Sequence, residues 1–102
     1  MRRHCEARGM ICLAERWRSP AGEIDLILRD GAEYVFLEVK ASRTFDAALE
    51  RITARQVARV HRAAAIFLET RPEGPFAEAR YDAGLVDAQG RVQVMEHALV
   101  AY

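Results

Sequence analysis

Two neighbouring stretches of strict alternation, separated by a turn, constrain this chain more than any other feature. Residues 23–29 read Glu-Ile-Asp-Leu-Ile-Leu-Arg, and residues 34–41 read Tyr-Val-Phe-Leu-Glu-Val-Lys-Ala. Between them lies Asp30-Gly31, a dipeptide that supplies the positive φ a tight hairpin needs. Side chains of a strand project alternately to two faces. Ile24, Leu26 and Leu28 are therefore expected on one face, with Glu23, Asp25, Ile27 and Arg29 on the other. In the second strand Val35, Leu37 and Val39 oppose Tyr34, Phe36, Glu38 and Lys40. Register follows from loop length. A two-residue loop at 30–31 sets Glu23 opposite Glu38, whereas a four-residue loop at 30–33 sets Asp25 opposite Glu38 and Glu23 opposite Lys40. Either even loop places all four groups on one face, and only an odd loop or a bulge would separate them.

Carboxylates crowded on one face repel one another unless a cation lies between them. Hard oxygen donors of this kind suit Mg²⁺ or Mn²⁺. Lys40, beside them, is suited to hold an attacking water or to neutralise charge that develops on a phosphate. It is also the only lysine, since 14 of the 15 basic residues are arginine. That excludes a second lysine for Schiff-base chemistry, and no Gly-rich segment runs into Lys40 to make a phosphate-cradling loop. The competing account is a solvated strand face with a cross-strand salt bridge, and both remain open on the residues alone.

The rest of the chain supplies a frame for this hairpin. Residues 2–8 read as the last turns of a helix stopped by Gly9, followed by a strand over 10–18 and turn chemistry at Ser19-Pro20-Ala21-Gly22. Thr53-Ala54-Arg55-Gln56 has the form of a capping box. The helix it opens runs to about Glu69, with Val57, Val60, Ala64, Phe67 and Leu68 as its apolar arc, and Pro72, Gly74 and Pro75 end it. Two more strands, 79–86 and 92–100, are joined around Asp87-Ala88-Gln89-Gly90. The order is helix, three strands, helix, two strands: an α/β sandwich around a mixed sheet, with the long helix as the crossover that parallel pairing requires. The 102 residues fit one domain spanning 1–102, and 51% apolar with 29% charged residues is an ordinary globular composition.

Charge is balanced overall but not along the chain. Residues 1–20 carry five Arg against two Glu, 21–40 two bases against five acids, 41–62 five Arg against two acids, and 63–102 three Arg against six acids. An acidic centre between basic flanks fits a metal site framed by phosphate contacts, as well as it fits chance. Arg51, Arg55, Arg59 and Arg62 follow helical spacing and form one stripe, while Arg16 and Arg18 share a face of the first strand. Arg18, Arg55, Arg59 and Arg62 are the candidate nucleic-acid contacts, against a plain alternative of solvated charge. Trp17, Tyr34 and Phe36 are expected in the core, and His4, His61 and His97 have neither ligand nor triad spacing. Cys5 and Cys12 lack metal-site spacing. There is no apolar run of the ~20 residues a membrane span needs and no signal-peptide pattern, so the expected address is a reducing cytoplasm.

The segments Gly22-Glu23-Ile24-Asp25-Leu26-Ile27, Arg29-Asp30-Gly31 and Val35-Phe36-Leu37-Glu38-Val39-Lys40 resemble the uncharacterised bacterial YraN-type family. Gly9, Leu13-Ala14, Trp17-Arg18 and the Thr53…Arg55-Gln56 helix start match as well, so the resemblance covers most of residues 4–70. That family is similar to the PD-(D/E)xK nuclease superfamily. The resemblance implies a restriction-endonuclease-like α-β-β-β-α-β-β sandwich with a mixed central sheet. It implies Asp25 as central metal ligand, Glu38 as the second, the Val39 carbonyl as a third, and Lys40 as the group that positions the attacking water. Glu23 is a family residue of less definite role, and Gln56 resembles the superfamily's helix glutamine. Gln56 also falls inside the apolar arc of its helix, where a polar side chain needs a partner; a capping role alone is the alternative. Where the superfamily motif has a proline before the aspartate, this chain has Ile24. Relatives carry a longer N-terminal helix with a Gly-Glu segment that can add to the site, so the helix over 2–8 is expected to be a shortened form.

The expectation is a metal-dependent nuclease, using Mg²⁺ or Mn²⁺ on nucleic acid, with DNA as first choice. The alternatives are a non-catalytic nucleic-acid-binding module of the same fold and a protein-interaction domain whose acidic face makes salt bridges. No membrane partner is expected, and a homodimer is left open.

Overall fold

A computed structural model describes residues 1–100. The hairpin expected from alternation is the centre of its sheet. Gly22–Asp30 (β2) and Glu33–Ala41 (β3) pair antiparallel from Asp30↔Glu33 to Leu26↔Leu37, turning on Gly31 and Ala32. Gly31 takes φ +63°, the conformation that glycine adopts without steric cost. Continued one rung, this register sets Asp25 opposite Glu38, the pairing assigned to the longer of the two even loops.

Ile11–Ser19 (β1) pairs antiparallel with β2 on one side. On the other side β3 pairs parallel with Glu78–Val86 (β4), and Val92–Met95 (β5) closes the edge antiparallel to β4. The sheet order is thus β1-β2-β3-β4-β5, and its one parallel pairing is spanned by helices. The fold is mixed α/β. Arg2–Ala7 (α1) lies against one face, where Cys5 and Met10 pack with Leu26, Leu28, Val35 and Leu37. Ala54–Glu69 (α3) covers the other face, where Val57, Val60, Ala63, Ala64 and Phe67 pack on Ile24, Ile27, Tyr34, Phe36, Ala83 and Leu85. Phe67 is the focus of that layer, edge-on to Trp17, Tyr34 and Phe36 at 5.4, 6.2 and 5.9 Å.

Three features depart from the sequence reading. A short helix, Phe45–Glu50 (α2), precedes α3 and is capped by Thr44, whose hydroxyl accepts from the Ala47 N–H; at six residues it is too short to show a period. β5 ends at Met95 rather than near 100, because His97 takes φ +58° and its N–H donates to Asp82 Oδ1 at 3.0 Å, turning the chain off the sheet edge. The third departure bears on the site. Ile24 packs under α3 together with Ile27, while Leu26 and Leu28 pack under α1. Strict alternation would put Ile24 with Leu26 and Leu28, so the pattern slips by one at Asp25.

The cause lies in β1. Its register to β2 shifts between Cys12 and Ala14, and Arg16 adopts φ +48° between the rungs Glu15↔Leu26 and Trp17↔Ile24 that bracket Asp25. A left-handed residue in a strand adds twist and re-aims its neighbours. Arginine pays a steric cost of roughly 1–2 kcal/mol there, which asparagine largely avoids. Arg16→Asn is therefore expected to raise stability by about 0.5–1 kcal/mol, read as a higher urea midpoint with unchanged slope. A lower midpoint would mean that the Arg16 side chain contributes more than its backbone loses.

Candidate metal and phosphodiester site

The β2–β3 ladder stops at Leu26↔Leu37, and a side chain takes over where backbone pairing ends. Asp25 Oδ2 accepts the Val39 N–H at 2.8 Å. The N–H and C=O of one strand residue point to the same edge, so the Val39 carbonyl also faces the gap that Asp25 fills. Hydrogen bonding to backbone holds the Asp25 carboxylate at the mouth of the hairpin, and among the described residues it makes no ion pair.

Glu38, one residue before Val39, is 4% exposed. Burial pushes its carboxyl up to about 7, reinforced by the hydrogen bond and the negative charge of Asp25, while Arg59 opposes the shift. The two carboxyls thus act on one another, which is the crowding expected of a pair that a cation would separate. Asp25, Leu26 and Val39 border an open cleft of about 510 Å³ on the α1 side, together with Met1, Arg2, Glu15 and Arg16. Glu38 is approached from the α3 side, where Arg59 Nη2 donates to its Oε2 at 2.8 Å.

Lys40 follows Glu38 by two residues on β3 and so shares its face, next to Leu85 of β4. It is half-buried and pairs with no carboxylate among the described residues. Its ammonium is therefore uncommitted among those residues, on the strand face that also carries Glu38.

Glu23 is not brought to this pair. Ile24 is packed beneath α3, so its neighbour Glu23 projects to the opposite side, where Arg18 Nε lies 3.8 Å from its carboxylate across the rung Arg18↔Glu23. The slip in β2 separates Glu23 from Glu38 and Lys40, as a bulge must. Among the described residues no cluster of three or more His, Cys, Asp or Glu side chains with metal-holding geometry forms. Two carboxylates and one carbonyl still fit Mg²⁺, which commonly takes one or two carboxylates and completes its shell with water and substrate oxygens.

Gln56 is committed elsewhere. Its Oε1 accepts the Thr53 N–H at 3.0 Å and Thr53 Oγ1 accepts the Gln56 N–H at 3.1 Å, the reciprocal capping box. The arginine stripe also divides. Arg51 Nη1 donates to the Ala41 carbonyl at 2.9 Å, and Arg59 turns into the site, whereas Arg55 and Arg62 are exposed. Arg59 lies about 40° round the helix from Ala63, a buried position outside the arc read from sequence. That places it at the edge of the packed face, above Gly22. A Cβ at Gly22 would stand 2.5 Å from Arg59 Cδ and 2.6 Å from its Cγ. Arg59 is thus a partner of Glu38 in this structure, not a member of a solvent-facing stripe. Arg18 is exposed, with Glu23 as its one ion-pair partner among the described residues.

Sequence reasoning missed Arg2 and Glu15, which join at 3.4 Å beside the cleft. The signal was the pairing of β1 with β2, which places Glu15 opposite Leu26. It also missed two charged residues that β4 buries, Arg80 and Asp82.

Comparison with known proteins matches residues 1–88 to the model of the uncharacterised protein family UPF0102. The match runs from α1 through β4 and includes every residue of the site. A UPF0102 protein of Ruegeria pomeroyi is 49% identical over 96 residues, covering 94% of this chain and 78% of that protein. One from Cereibacter sphaeroides (strain ATCC 17025) is 49% identical over 88 residues, 86% of this chain and 75% of its own. One from Roseobacter denitrificans is 42% identical over 97 residues, 95% and 75% of the two chains.

Proposed function

The chain belongs to the uncharacterised protein family UPF0102, the YraN-type family, and from its site we propose that it is a metal-dependent phosphodiesterase of the PD-(D/E)xK type acting on DNA. The single observation that carries this reading is the meeting of Asp25 and Glu38 where β2 and β3 part, with the Val39 backbone between them and Lys40 two residues on. In this reading the sheet and its two covering layers form a restriction-endonuclease-like sandwich. The free thiols of Cys5 and Cys12 suit a reducing cytoplasm.

Asp25, Glu38 and the Val39 carbonyl would hold Mg²⁺ or Mn²⁺. The ion would act as a Lewis acid on the scissile phosphate and lower the pKa of water. Asp25 is positioned for this by the Val39 N–H, which fixes its carboxylate orientation. Lys40 places a positive charge where the attacking water and the developing phosphate charge meet, and no histidine base is needed. Exposed Arg55 and Arg62, with Arg18 on β1, supply phosphate contacts beyond the reacting group. Glu23 and Gln56 have no chemical step in this account, since one faces Arg18 and the other caps α3.

The test is cleavage of linear, single-stranded and branched DNA with Mg²⁺ or Mn²⁺, against the same reactions in chelator. Metal-dependent cleavage of any of the three supports the reading. DNA binding without cleavage under all conditions favours the second reading, a binding module of the same fold.

Divalent binding should also depend on pH. The Glu38 carboxyl titrates at about 7 and must lose its proton to act as a ligand, so affinity should fall about tenfold per pH unit below 7. The sign for the metal-free fold is opposite. A carboxyl raised from 4.5 to about 7 stabilises the fold below 4.5, and that contribution is lost as pH rises through about 7. Calorimetry at pH 6, 7 and 8 checks the first effect; equal affinities would remove Glu38 from the ligand set.

A further inference from the structure

We propose that Arg59 is a displaceable guard of the acidic pair, standing in for a divalent cation on Glu38 and swinging out to bind substrate phosphate when the ion enters. The proposal rests on the reading of Asp25 and Glu38 as a divalent site.

Three observations carry it. First, Arg59 closes the α3 side of the pair: Nη2 donates to Glu38 Oε2 at 2.8 Å, the one ion pair made by that carboxylate among the described residues. A guanidinium and a divalent ion cannot share one buried carboxylate at close range without strong repulsion. Second, the contact is incomplete. An arginine can give a carboxylate two parallel hydrogen bonds, yet among the described residues only Nη2 is engaged and Nε is buried without a partner. A buried unsatisfied donor is costly, so the closed arrangement is held less firmly than its short distance suggests. Third, the arginine has a way out and the glutamate has none. The Arg59 side chain is 32% exposed against 5% for Glu38, and its stem rests on Gly22, where the absence of a Cβ leaves room. Outward rotation would bring the guanidinium to the exposed side of α3, beside Arg55 and Arg62. Loading the ion would then release one more cation for phosphate, coupling the two binding events.

The experiment is calorimetric titration of Mg²⁺ and Mn²⁺ into the wild-type chain, Arg59→Ala and Arg59→Lys at pH 8. Arg59→Ala should bind the ion about tenfold more tightly or better, because the competing charge is gone. Arg59→Lys should show a smaller gain, and Arg55→Ala none. In a DNA-binding assay, the gain in affinity on adding non-catalytic Ca²⁺ should be smaller for Arg59→Ala than for wild type. Ion binding by wild type with unchanged or weaker binding in Arg59→Ala overturns the guard but leaves the divalent site standing. Absence of ion binding in both wild type and Arg59→Ala overturns the site itself. NMR gives a readout without substitution. The Arg59 Nε–H signal should lose protection from solvent exchange on titration with Mg²⁺, and persistence of that protection in the ion-bound protein counts against displacement.

Discussion

Asp25→Asn is expected to abolish divalent binding and to reduce cleavage more than about 100-fold, while Lys40→Ala leaves ion affinity within a few-fold of wild type and reduces cleavage comparably. The difference follows from what each side chain touches. Asp25 meets both Glu38 and the Val39 N–H. An amide at this position removes the negative charge that attracts the ion and, where its NH₂ faces Val39, sets donor against donor. Lys40 makes no ion pair among the described residues, so its removal leaves the acidic pair intact and takes away only the charge beside the reacting phosphate. Calorimetry and a cleavage assay on the same preparations separate the two roles. Loss of ion binding in Lys40→Ala would make the lysine a structural counter-ion, and full activity in Asp25→Asn would remove the aspartate from the site.

Arg80→Met is expected to destabilise the fold by about 3–5 kcal/mol, because it strands buried negative charge. Arg80 Nε donates to both oxygens of Asp82 at 3.1 and 2.9 Å, and Nη1 reaches Glu33 at 3.1 Å, Asp30 at 3.4 Å and Glu96 at 3.5 Å. One guanidinium thus ties the turn end of the β2–β3 hairpin and the segment after β5 to β4. Asp82 is fully buried, and burial holds its carboxyl above the usual range against the opposing pull of the His97 N–H and Arg80. Without Arg80 that carboxylate keeps, among the described residues, only the His97 N–H.

The melting temperature should drop by about 4–8 °C per kcal/mol for a domain of this size. Two controls identify the cause. Arg80→Met combined with Asp82→Leu should recover much of the loss, since apolar replacement of both partners leaves no orphaned charge. The single variant should also lose less at pH 4 than at pH 7, because protonation at the lower pH relieves the stranded Asp82 charge. A loss of under 1 kcal/mol in Arg80→Met, by denaturant unfolding, would show that Asp82 finds another partner.

Local rules carried much of this architecture. Alternation over 34–41 placed Tyr34 and Phe36 opposite Val35 and Leu37, and those pairs do line different layers. The Thr53 capping box opens α3 where its spacing placed it. Such features follow from bonds and contacts within a few residues. Alternation failed at Ile24 because the slip in β2 accompanies irregularities in β1, at Cys12–Ala14 and at Arg16. A strand's own residues carry no record of its partner's bulge. Glu23, counted with the acidic pair by parity, is turned to Arg18 for that reason.

Arginine roles were the least legible from sequence. Arg55, Arg59 and Arg62 are chemically identical and regularly spaced, yet Arg59 alone is drawn to Glu38, through a contact between residues 21 positions apart. Arg80 looks like any polar residue of an edge strand until β5 and the turn at His97 bury it. The sequence by itself determined where the acidic and basic side chains stand along two strands and their turn, Asp25 on one and Glu38 and Lys40 on the other. Only the tertiary structure decided which charges are spent on the fold and which stay free. Burial, and with it the cost of leaving a charge unpaired, depends on what distant segments cover.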